Sequence, residues 1–440
     1  MERFISFIEH YLVPITDKMG SQRHLVAIRD ALIVIMPVTM IGAFSTLINN
    51  MPVQAYKDFM LKVFGDNWTM LGGNLWWGSI ATMALFLVGS VAYFLAKSYK
   101  INEIQAIFIA LCSFLILSPQ TASITPEGAT DAVVGWGFIS WTYLSTNALF
   151  TAILVGIVST EIYVRLSRIS WLRINLSDGV VPSVVKSFST LLPGMITLFI
   201  IGLLSVLISM ISDGKFINDI IATYLSKPLQ GVGDTLFGAV ISALAINFLW
   251  IFGLHGSNIT LSEIEGTLVQ LGAQNVHLAQ SGATEGYHVF AGAFLDAFVN
   301  LGGSGAILGL IIALIIAGRR RREMISLCGL GAIFNISEPI VFGMPIVLNP
   351  IYMVPFVLAP VMCTITSYIA ISAGIVAPII VDKIPWITPP IYGGLIATGH
   401  WSGAVLAIFN LLLSTVIYIP FIIIDEKITE KKILKFKKSN

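Results

Sequence analysis

A short polar block, Asn335-Ile336-Ser337-Glu338-Pro339, interrupts an otherwise lipid-like run over residues 324–350. A carboxylate at bilayer depth costs about 2.5 kcal/mol or more unless it pairs with another group or faces water. Pro339 and Pro345 also break the run, so it is not a plain spanning helix. A broken apolar segment that buries an acid is typical of a substrate site in a membrane protein. We therefore take Glu338 as the first candidate functional residue.

The composition indicates an integral membrane protein. Of the 440 residues, 56% are hydrophobic and 11% are charged, whereas soluble domains carry roughly 25% charged residues. Many separate apolar runs of about 20 residues predict a bundle of spanning helices. Runs such as 306–317 do not alternate apolar and polar residues, as the strands of a transmembrane barrel would. The predicted fold is therefore all-α.

Charged residues indicate the orientation of the chain in the membrane. Lysines are concentrated in the tail 427–440 and arginines in Arg319–Arg322, whereas the loop 118–135 carries Glu127 and Asp131 and no basic residue. Because basic loops stay in the cytoplasm, we expect this acidic loop outside and both termini inside. The lysine-rich tail is typical of a topology signal, and a site for anionic lipid or a partner is the alternative.

Nine apolar segments are candidate spanning helices. They are 27–48, 75–96, 104–117, 144–166, 191–211, 236–254, 289–317, 350–376 and 391–424. Trp76, Trp77, Trp136 and Trp141 lie at segment ends, as interface anchors do. Hydropathy does not decide whether residues 138–143 form part of an additional short span.

Two polar, interrupted stretches do not fit the pattern of spanning helices. If both termini and the arginine run are cytoplasmic, the stretch 233–288 either enters and leaves on one side or contains a hidden crossing, and its second half is too polar for lipid. This predicts a re-entrant element near 255–288, enclosed by protein rather than lipid. The glycine- and proline-interrupted stretch 324–348 predicts a second one. Two such elements in one bundle are typical of a transporter binding site.

The predicted domain organisation has two halves. Residues 1–177 comprise an amphipathic N-terminal helix at the interface and a spanning half with few mid-span polar groups, typical of a scaffold or oligomer interface. Residues 178–190 form a linker that contains glycine and proline. Residues 191–426 contain both predicted re-entrant elements, and residues 427–440 form the basic cytoplasmic tail. The first residues lack the cleavage site of a signal peptide.

His255 is the second candidate functional residue. It follows an aromatic-rich run and lies close to Gly253 and Gly256, which permit a close approach of backbone or ligand. A lone histidine more often satisfies a hydrogen bond in a core, but inside a membrane segment an ionisable residue is functional by default. Together with Glu338 it would offer a donor and a base to a polar substrate.

Two further motifs have two readings each. Trp386 lies in a proline-bracketed loop and is either an interface anchor or an aromatic platform for a sugar ring. Gly302-Gly303-Ser304-Gly305 lacks the Lys-Ser/Thr of a phosphate-binding loop, so it favours close helix packing, with contact to a substrate edge as the alternative.

The remaining polar and sulfur-containing residues predict no cofactor. A pocket-lining or solvated surface is expected for Glu263, Glu265, His277, Glu285 and His288, which show no metal-ligand spacing. The three cysteines lie in apolar surroundings and are expected to be buried hydrophobes. No nucleotide motif is present, which excludes ATP-driven transport by this chain alone.

Several motifs together resemble a known family of permeases. They are Gln22-Arg23-His24-Leu25, Leu254-His255-Gly256, Gly302-Gly303-Ser304-Gly305, the block from Asn335 to Pro345, and Pro385-Trp386 with Pro389-Pro390. The chain resembles the EIIC permeases of the lactose/cellobiose/diacetylchitobiose family. These are the membrane components of the phosphoenolpyruvate-dependent sugar phosphotransferase system. The resemblance covers essentially the whole chain.

The resemblance implies an architecture and a site. The expected architecture is a homodimer of ten-helix protomers with two re-entrant hairpins in the bacterial plasma membrane. The first half would dimerise, and the second would bind sugar and move like an elevator. The resemblance places His255 and Glu338 beside the sugar hydroxyl that becomes phosphorylated and Trp386 against a ring. The rest of the expected substrate-binding set is Asn335, Ser337, Asn258 and Gly303.

The resemblance also implies a substrate and partners. The expected substrate is a β-linked disaccharide, diacetylchitobiose or cellobiose, and no cofactor or nucleic acid is expected. The phosphoryl donor would be a phosphocysteine on a separate IIB protein at the cytoplasmic face, with IIA upstream. A proton- or sodium-coupled secondary transporter, with Glu338 and His255 as the proton relay, is the alternative. A sugar sensor or scaffold is a third possibility, which the two interrupted elements disfavour.

Overall fold

The computed structural model describes residues 22–51, 54–125, 131, 133–174, 188–226, 233–252, 255–318, 322–344, 346–347 and 349–439. The predicted N-terminal amphipathic helix, most of the predicted linker 178–190 and the arginines at 319–321 lie outside these residues. The described chain is mostly helical, with one short β-hairpin. This confirms the predicted all-α class.

The first helices are α1 Arg23–Val34, α2 Met36–Asn50, α3 Gln54–Phe64, α4 Thr69–Trp77, α5 Met83–Tyr99 and α6 Glu103–Ile116. The hairpin comprises β1 Thr121–Ile124 and β2 Val133–Trp136, which are antiparallel with Thr121 opposite Trp136. The hairpin is followed by α7 Leu149–Ser167, α8 Leu191–Ile211 and α9 Ile217–Ser226. The remaining helices are α10 Leu236–Ile251, α11 Gly256–Gln280, α12 Phe294–Phe298, α13 Ile307–Ala317, α14 Arg322–Ile333, α15 Glu338–Gly343, α16 Pro350–Ser372, α17 Pro390–Thr398 and α18 Trp401–Ser439.

Five helical segments in the described part of the chain are long and apolar enough to cross a membrane. They are Asp66–Tyr99, Thr146–Ser167, Leu191–Ile211, Pro350–Ser372 and Trp401–Glu430, and the bent pair α1 and α2 would make a sixth. Glu103–Ile116, Leu236–Ile251 and Ser304–Ala317 are shorter apolar helices. Residues 138–143 form only a single 3-10 turn at Trp141–Tyr143 and no spanning helix. The predicted multi-pass membrane protein is therefore confirmed.

Two of the predicted spanning segments contain breaks, although the second still includes the long apolar helix over Trp401–Glu430. Within 289–317, Gly302, Gly303 and Gly305 have φ values of 90°, 93° and 80°. Such left-handed backbone cannot continue an α-helix, so α13 begins only at Ile307. Within 391–424, α17 and α18 are separated at Gly399, which has a φ of 62°.

The described residues pack as two compact units. The larger unit contains Met40–Trp76 and Ser226–Asn440, and the smaller unit contains Gly20–Thr39 and Trp77–Leu225. Helix α8 belongs to the smaller unit, where it packs on α6 and α7. The packing boundary therefore follows α9, whereas the sequence predicted a linker at 178–190.

The smaller unit is built on close helix packing. A Cβ atom added at Gly156 of α7 would lie 3.1 Å from Val91 Cγ1 and 3.2 Å from the Val88 carbonyl oxygen of α5. Small residues at such crossings let helix backbones approach within a membrane. Glu161 of α7 accepts a hydrogen bond from the Tyr99 hydroxyl at 2.5 Å and lies 3.0 Å from His24 Nε2. These contacts join α1, α5 and α7.

Buried side chains of the larger unit satisfy the backbone of its broken segment. Asn410 of α18 is fully buried and donates to the Phe298 carbonyl at 2.9 Å and to Ser367 Oγ at 2.7 Å. The Tyr418 hydroxyl donates to the Gly305 carbonyl at 2.6 Å. Irregular backbone at membrane depth needs such partners, because lipid offers none.

We expect Asn410→Leu to lower the unfolding temperature of the protein in detergent, measured by near-UV circular dichroism. The leucine would leave the buried Phe298 carbonyl without its side-chain donor, which costs about 1–3 kcal/mol. The matched control is Phe409→Leu on the same helix, where the native ring is exposed, and it should leave the transition unchanged. Equal unfolding temperatures in the two variants would contradict this prediction.

Candidate functional site

The two principal candidates, His255 and Glu338, lie next to each other in the larger unit. His255 Nε2 is 3.6 Å from Glu338 Oε1, and the side chains are 18% and 17% exposed. Hydrogen bonds are about 2.8 Å long, so one hydroxyl oxygen could contact both atoms at once. The pair can therefore bind and polarise a hydroxyl group of a polar substrate. It is accessible enough for a ligand and buried enough to strengthen the interaction.

The position of Glu338 follows from the way in which α14 ends. The Ile336 N–H donates to the Gly331 carbonyl at 2.9 Å, and the Asn335 N–H donates to the Ala332 carbonyl at 3.2 Å. This pair of bonds is the Schellman ending, which requires left-handed backbone at Asn335, and its φ is 60°. Asparagine tolerates that region better than most residues. The chain then reverses, and α15 begins at Glu338.

The reversal after α14 is anchored by an apolar contact. Ile336 is buried, and residues of α2 and of the Trp386 loop belong to the same cluster. The cluster consists of Ala43, Leu47, Ile336 and Ile387, with Phe44, Met51 and Phe334 packed against it. A buried residue directly after the left-handed position is the usual companion of this helix ending. Apolar packing around Ile336 therefore also fixes the position of the polar block 335–339.

The side chain of Asn335 connects three chain segments. Its Oδ1 accepts from the Gly302 N–H at 2.8 Å, and its Nδ2 donates to the Trp386 carbonyl at 2.8 Å and the Thr388 carbonyl at 2.9 Å. Both amide hydrogens are thus engaged with the protein. Asn335 was predicted to contact the substrate, and its geometry favours a positioning role.

Gly303 and Ser337 form a close contact beside Glu338. A Cβ atom at Gly303 would lie 2.5 Å from the Asn335 carbonyl oxygen and 2.8 Å from Ser337 Cβ, so only glycine fits there. Ser337 is buried at the position before α15. The next residue along the glycine loop, Ser304, lies 3.2 Å from Ser257, Oγ to Oγ. The glycine loop, residues 302–305, therefore contacts Ser337 next to Glu338 and Ser257 near His255.

Trp386 presents an exposed indole on a fixed backbone. The Thr388 N–H and hydroxyl both donate to the Pro385 carbonyl, at 2.9 and 2.6 Å, and form a tight turn around the tryptophan. The indole is 45% exposed, while the Trp386 carbonyl is held by Asn335. This arrangement suits an aromatic platform. Asn258, another predicted contact, lies in α11 and its side chain is outside the described residues.

Trp250 is a neighbour of His255 that was not predicted from the sequence. Its ring centroid lies 4.8 Å from that of His255, with the planes tilted by 49°, and 6.0 Å from that of Phe342 in α15. The indole is almost fully buried, and its Nε1 has no hydrogen-bond partner among the described residues. A tryptophan five positions before a membrane histidine was the available signal. Trp250 fixes one face of the imidazole.

Two of the other predicted pocket-lining residues, Glu265 and His288, form pairs with residues outside the candidate set. Glu265 forms an ion pair with Lys383. His288 Nδ1 lies 3.1 Å from Asp234 Oδ2, and its Nε2 lies 2.8 Å from Gln274 Oε1. No group of three potential metal ligands occurs in the part of the chain that the structure describes.

We expect Asn335→Asp to lower the thermal unfolding temperature substantially. Aspartate retains the tolerance for φ of 60° and the acceptor for Gly302, but it places an oxygen against the Trp386 and Thr388 carbonyls. Loss of these two donors costs about 1–3 kcal/mol. The matched control is Asn50→Asp, where an exposed amide donates to the Thr46 carbonyl. A destabilisation no larger than that of the control would refute the role given to Asn335.

Comparisons with known proteins identify the family of this chain. Residues 29–360 match the family described as "Phosphotransferase system, EIIC". The cellobiose-specific EIIC component of Geobacillus stearothermophilus is 36% identical over 434 residues, covering 97% of this chain and 95% of that protein. The lichenan permease IIC component of Bacillus subtilis is 35% identical over 427 residues, covering 96% and 93%.

A solved structure is similar over the whole length of the chain. It is that of the transporter ChbC, the IIC component from the N,N'-diacetylchitobiose-specific phosphotransferase system. The TM-score is 0.55 at 33% sequence identity, and the alignment covers 97% of this chain and 99% of ChbC. The chain thus belongs to the EIIC family of membrane permeases of the sugar phosphotransferase system.

Proposed function

We propose that this chain is the membrane translocator of a phosphotransferase system for a β-linked disaccharide, with cellobiose or diacetylchitobiose as the substrate. Membership of the EIIC family supports a sugar permease in a bacterial plasma membrane. The names of its relatives, which include cellobiose, lichenan and diacetylchitobiose permeases, support the substrate class. The observation that carries the proposal is the largely buried pair of His255 and Glu338, whose Nε2 and Oε1 atoms lie 3.6 Å apart.

The pair would activate the hydroxyl that becomes phosphorylated. In the proposed step, the sugar 6-hydroxyl lies against both side chains and Glu338 accepts its proton. The hydroxyl oxygen forms a bond to the phosphorus of a phosphocysteine on a IIB protein, while the sulfur–phosphorus bond breaks and the cysteine leaves as thiolate. His255 orients the hydroxyl or stabilises the charge that develops on it. A positioned base of this kind contributes about 10²–10⁴-fold to a rate.

Aromatic side chains would bind the sugar rings. The exposed indole of Trp386 suits the apolar face of a pyranose. The Nε1–H of Trp250 is free to donate to a sugar hydroxyl once a ligand enters, since it has no partner among the described residues. Gly303, Ser337 and Asn335 would shape the edge of the site, with Asn335 acting through the two loops that it holds.

The proposed architecture is a homodimer of ten-helix protomers with both termini in the cytoplasm. Helices α14 and α15 are short and joined by a sharp turn, which supports a re-entrant hairpin over 324–348. The continuous helix α11 packs on α10, so the polar region 255–288 would be one arm of a second hairpin. We propose that the sugar-binding half moves inward like an elevator, that IIB docks at the cytoplasmic face, and that IIA supplies IIB.

We expect Glu338→Gln to abolish formation of cellobiose phosphate in membrane vesicles that contain this chain. The vesicles receive radiolabelled cellobiose, phosphoenolpyruvate and the soluble phosphotransfer proteins, and sugar phosphate is then separated from free sugar. Glutamine keeps the size of the side chain and removes the base, so the rate should fall by about 10²-fold or more. The matched control is Glu285→Gln in the same unit, where the native side chain is exposed.

Two results would refute the proposed function. One is phosphorylation in the Glu338→Gln variant at the rate of the control. The other is uptake of unmodified cellobiose without the phosphotransfer proteins that stops when an uncoupler is added. The second result would leave a proton-coupled transporter, with Glu338 and His255 as its relay.

A further inference from the structure

The smaller unit contains a cleft of about 590 Å³, separate in sequence from every residue of the site above. It is lined by Trp77 at the end of α4, by residues of β1 and of the loop after β2, and by the segment that runs from Asp213 into the first turn of α9. Its volume lies within the range of about 300–1,000 Å³ typical of small-molecule sites. The cleft therefore has the dimensions of a ligand site that the proposed function does not use.

Aromatic side chains form much of its wall. Five lining residues are aromatic, namely Trp77, Phe138, Trp141, Tyr143 and Phe216. Exposed aromatic rings inside a concave site are the usual platforms for the apolar faces of sugars. Trp136 of the same hairpin is 80% exposed and does not line the cleft. A tryptophan that only anchors the chain at the membrane interface would be exposed outside the cleft, as Trp136 is. The rings of Trp77 and Trp141 instead form part of the cleft wall.

A fixed carboxylate provides the polar part of the cleft. Asp219 Oδ1 accepts from the Tyr143 hydroxyl at 2.8 Å, and Asp219 Oδ2 accepts from the Phe216 N–H at 3.2 Å. Each carboxylate oxygen can accept a further bond, because it has two lone pairs. Burial, together with the bond to Asp219, raises the pKa of Tyr143 to about 12, so this donor stays protonated at neutral pH.

The charges in the cleft favour a neutral ligand. Asp213, Asp219 and Lys215 line it, and their formal charges sum to −1. An anionic headgroup or phosphate would be repelled by this balance. A neutral saccharide can stack on the rings and donate its hydroxyl groups to Asp219 without such a penalty.

We propose that this cleft is a second saccharide-binding site, which collects neutral β-linked sugar on the face of the membrane where the acidic loop lies. That face is the one the distribution of basic residues predicts to be external. The choice of sugar rests on the proposed function of the chain. A weak site there raises the concentration of substrate on the side from which it is taken up.

The test uses the full-length chain in lipid nanodiscs with every tryptophan replaced by 5-fluorotryptophan. The background is the double variant Glu338→Gln and Trp386→Ala, which impairs the first site. Cellobiose and diacetylchitobiose are titrated in turn while fluorine NMR is recorded, with mannitol as the control solute. The resonances of Trp77, Trp141 and Trp136 are assigned by substituting each with phenylalanine.

The Trp77 and Trp141 resonances are expected to shift saturably with a disaccharide, and the Trp136 resonance is not. Phe138→Ala removes one aromatic wall but not the Tyr143–Asp219 bond, and it should weaken the binding by about two- to tenfold. Trp136→Phe should leave the affinity unchanged. Shifts no larger than those with mannitol, or larger shifts with glycerophosphocholine than with sugar, would overturn the proposal, the latter indicating a lipid headgroup site.

The outcome is separable from that of the proposed function. Normal cellobiose phosphorylation by the unsubstituted chain, together with unshifted Trp77 and Trp141 resonances in the double variant, refutes only the saccharide site in the cleft. Saturable shifts in the double variant, together with no phosphorylation by the unsubstituted chain, refute the proposed phosphotransferase function and support the saccharide site in the cleft.

Discussion

The amide of Asn335 holds together the three chain segments on which the candidate site is built. It accepts from the Gly302 N–H and donates to the carbonyls of Trp386 and Thr388, while its left-handed backbone ends α14 and starts the turn to Glu338. A buried amide with all of its groups satisfied rigidifies its surroundings, and one with a missing partner is costly. The position of Glu338 relative to the glycine loop thus depends on this one side chain.

The same constraint explains the buried amides and hydroxyls elsewhere in the larger unit. A chain that breaks its helices at membrane depth exposes backbone groups that lipid cannot satisfy. Asn247 therefore accepts from the Gly305 N–H at 2.6 Å, Tyr418 donates to the Gly305 carbonyl, and Asn410 donates to the Phe298 carbonyl. The broken backbone in turn makes room for polar groups inside an apolar unit, which is what binding a sugar there requires.

The division into two compact units separates two kinds of surface. Every described residue of the candidate site, including His255, Glu338 and Trp386, belongs to the larger unit. A site contained within one body can move as a whole without losing its geometry, which is the property that an elevator-type mechanism needs. The smaller unit contains the β-hairpin and a cleft walled by aromatic rings around Asp219. Its chemistry suits transient contact with sugar rather than a reaction.

The amino-acid sequence by itself determined the membrane class and the family resemblance, and it pointed to Glu338 and His255 as candidates, because an ionisable residue inside an apolar run can be recognised from the sequence alone. Hydropathy did not predict the breaks within 289–317 and 391–424, because it averages apolarity and does not register left-handed backbone at Gly303 or Gly399. Only the tertiary structure decided the roles of Asn335 and Trp250. The Asn335 partners are 33 to 53 residues away, and no local pattern specifies which distant carbonyl a buried amide will meet.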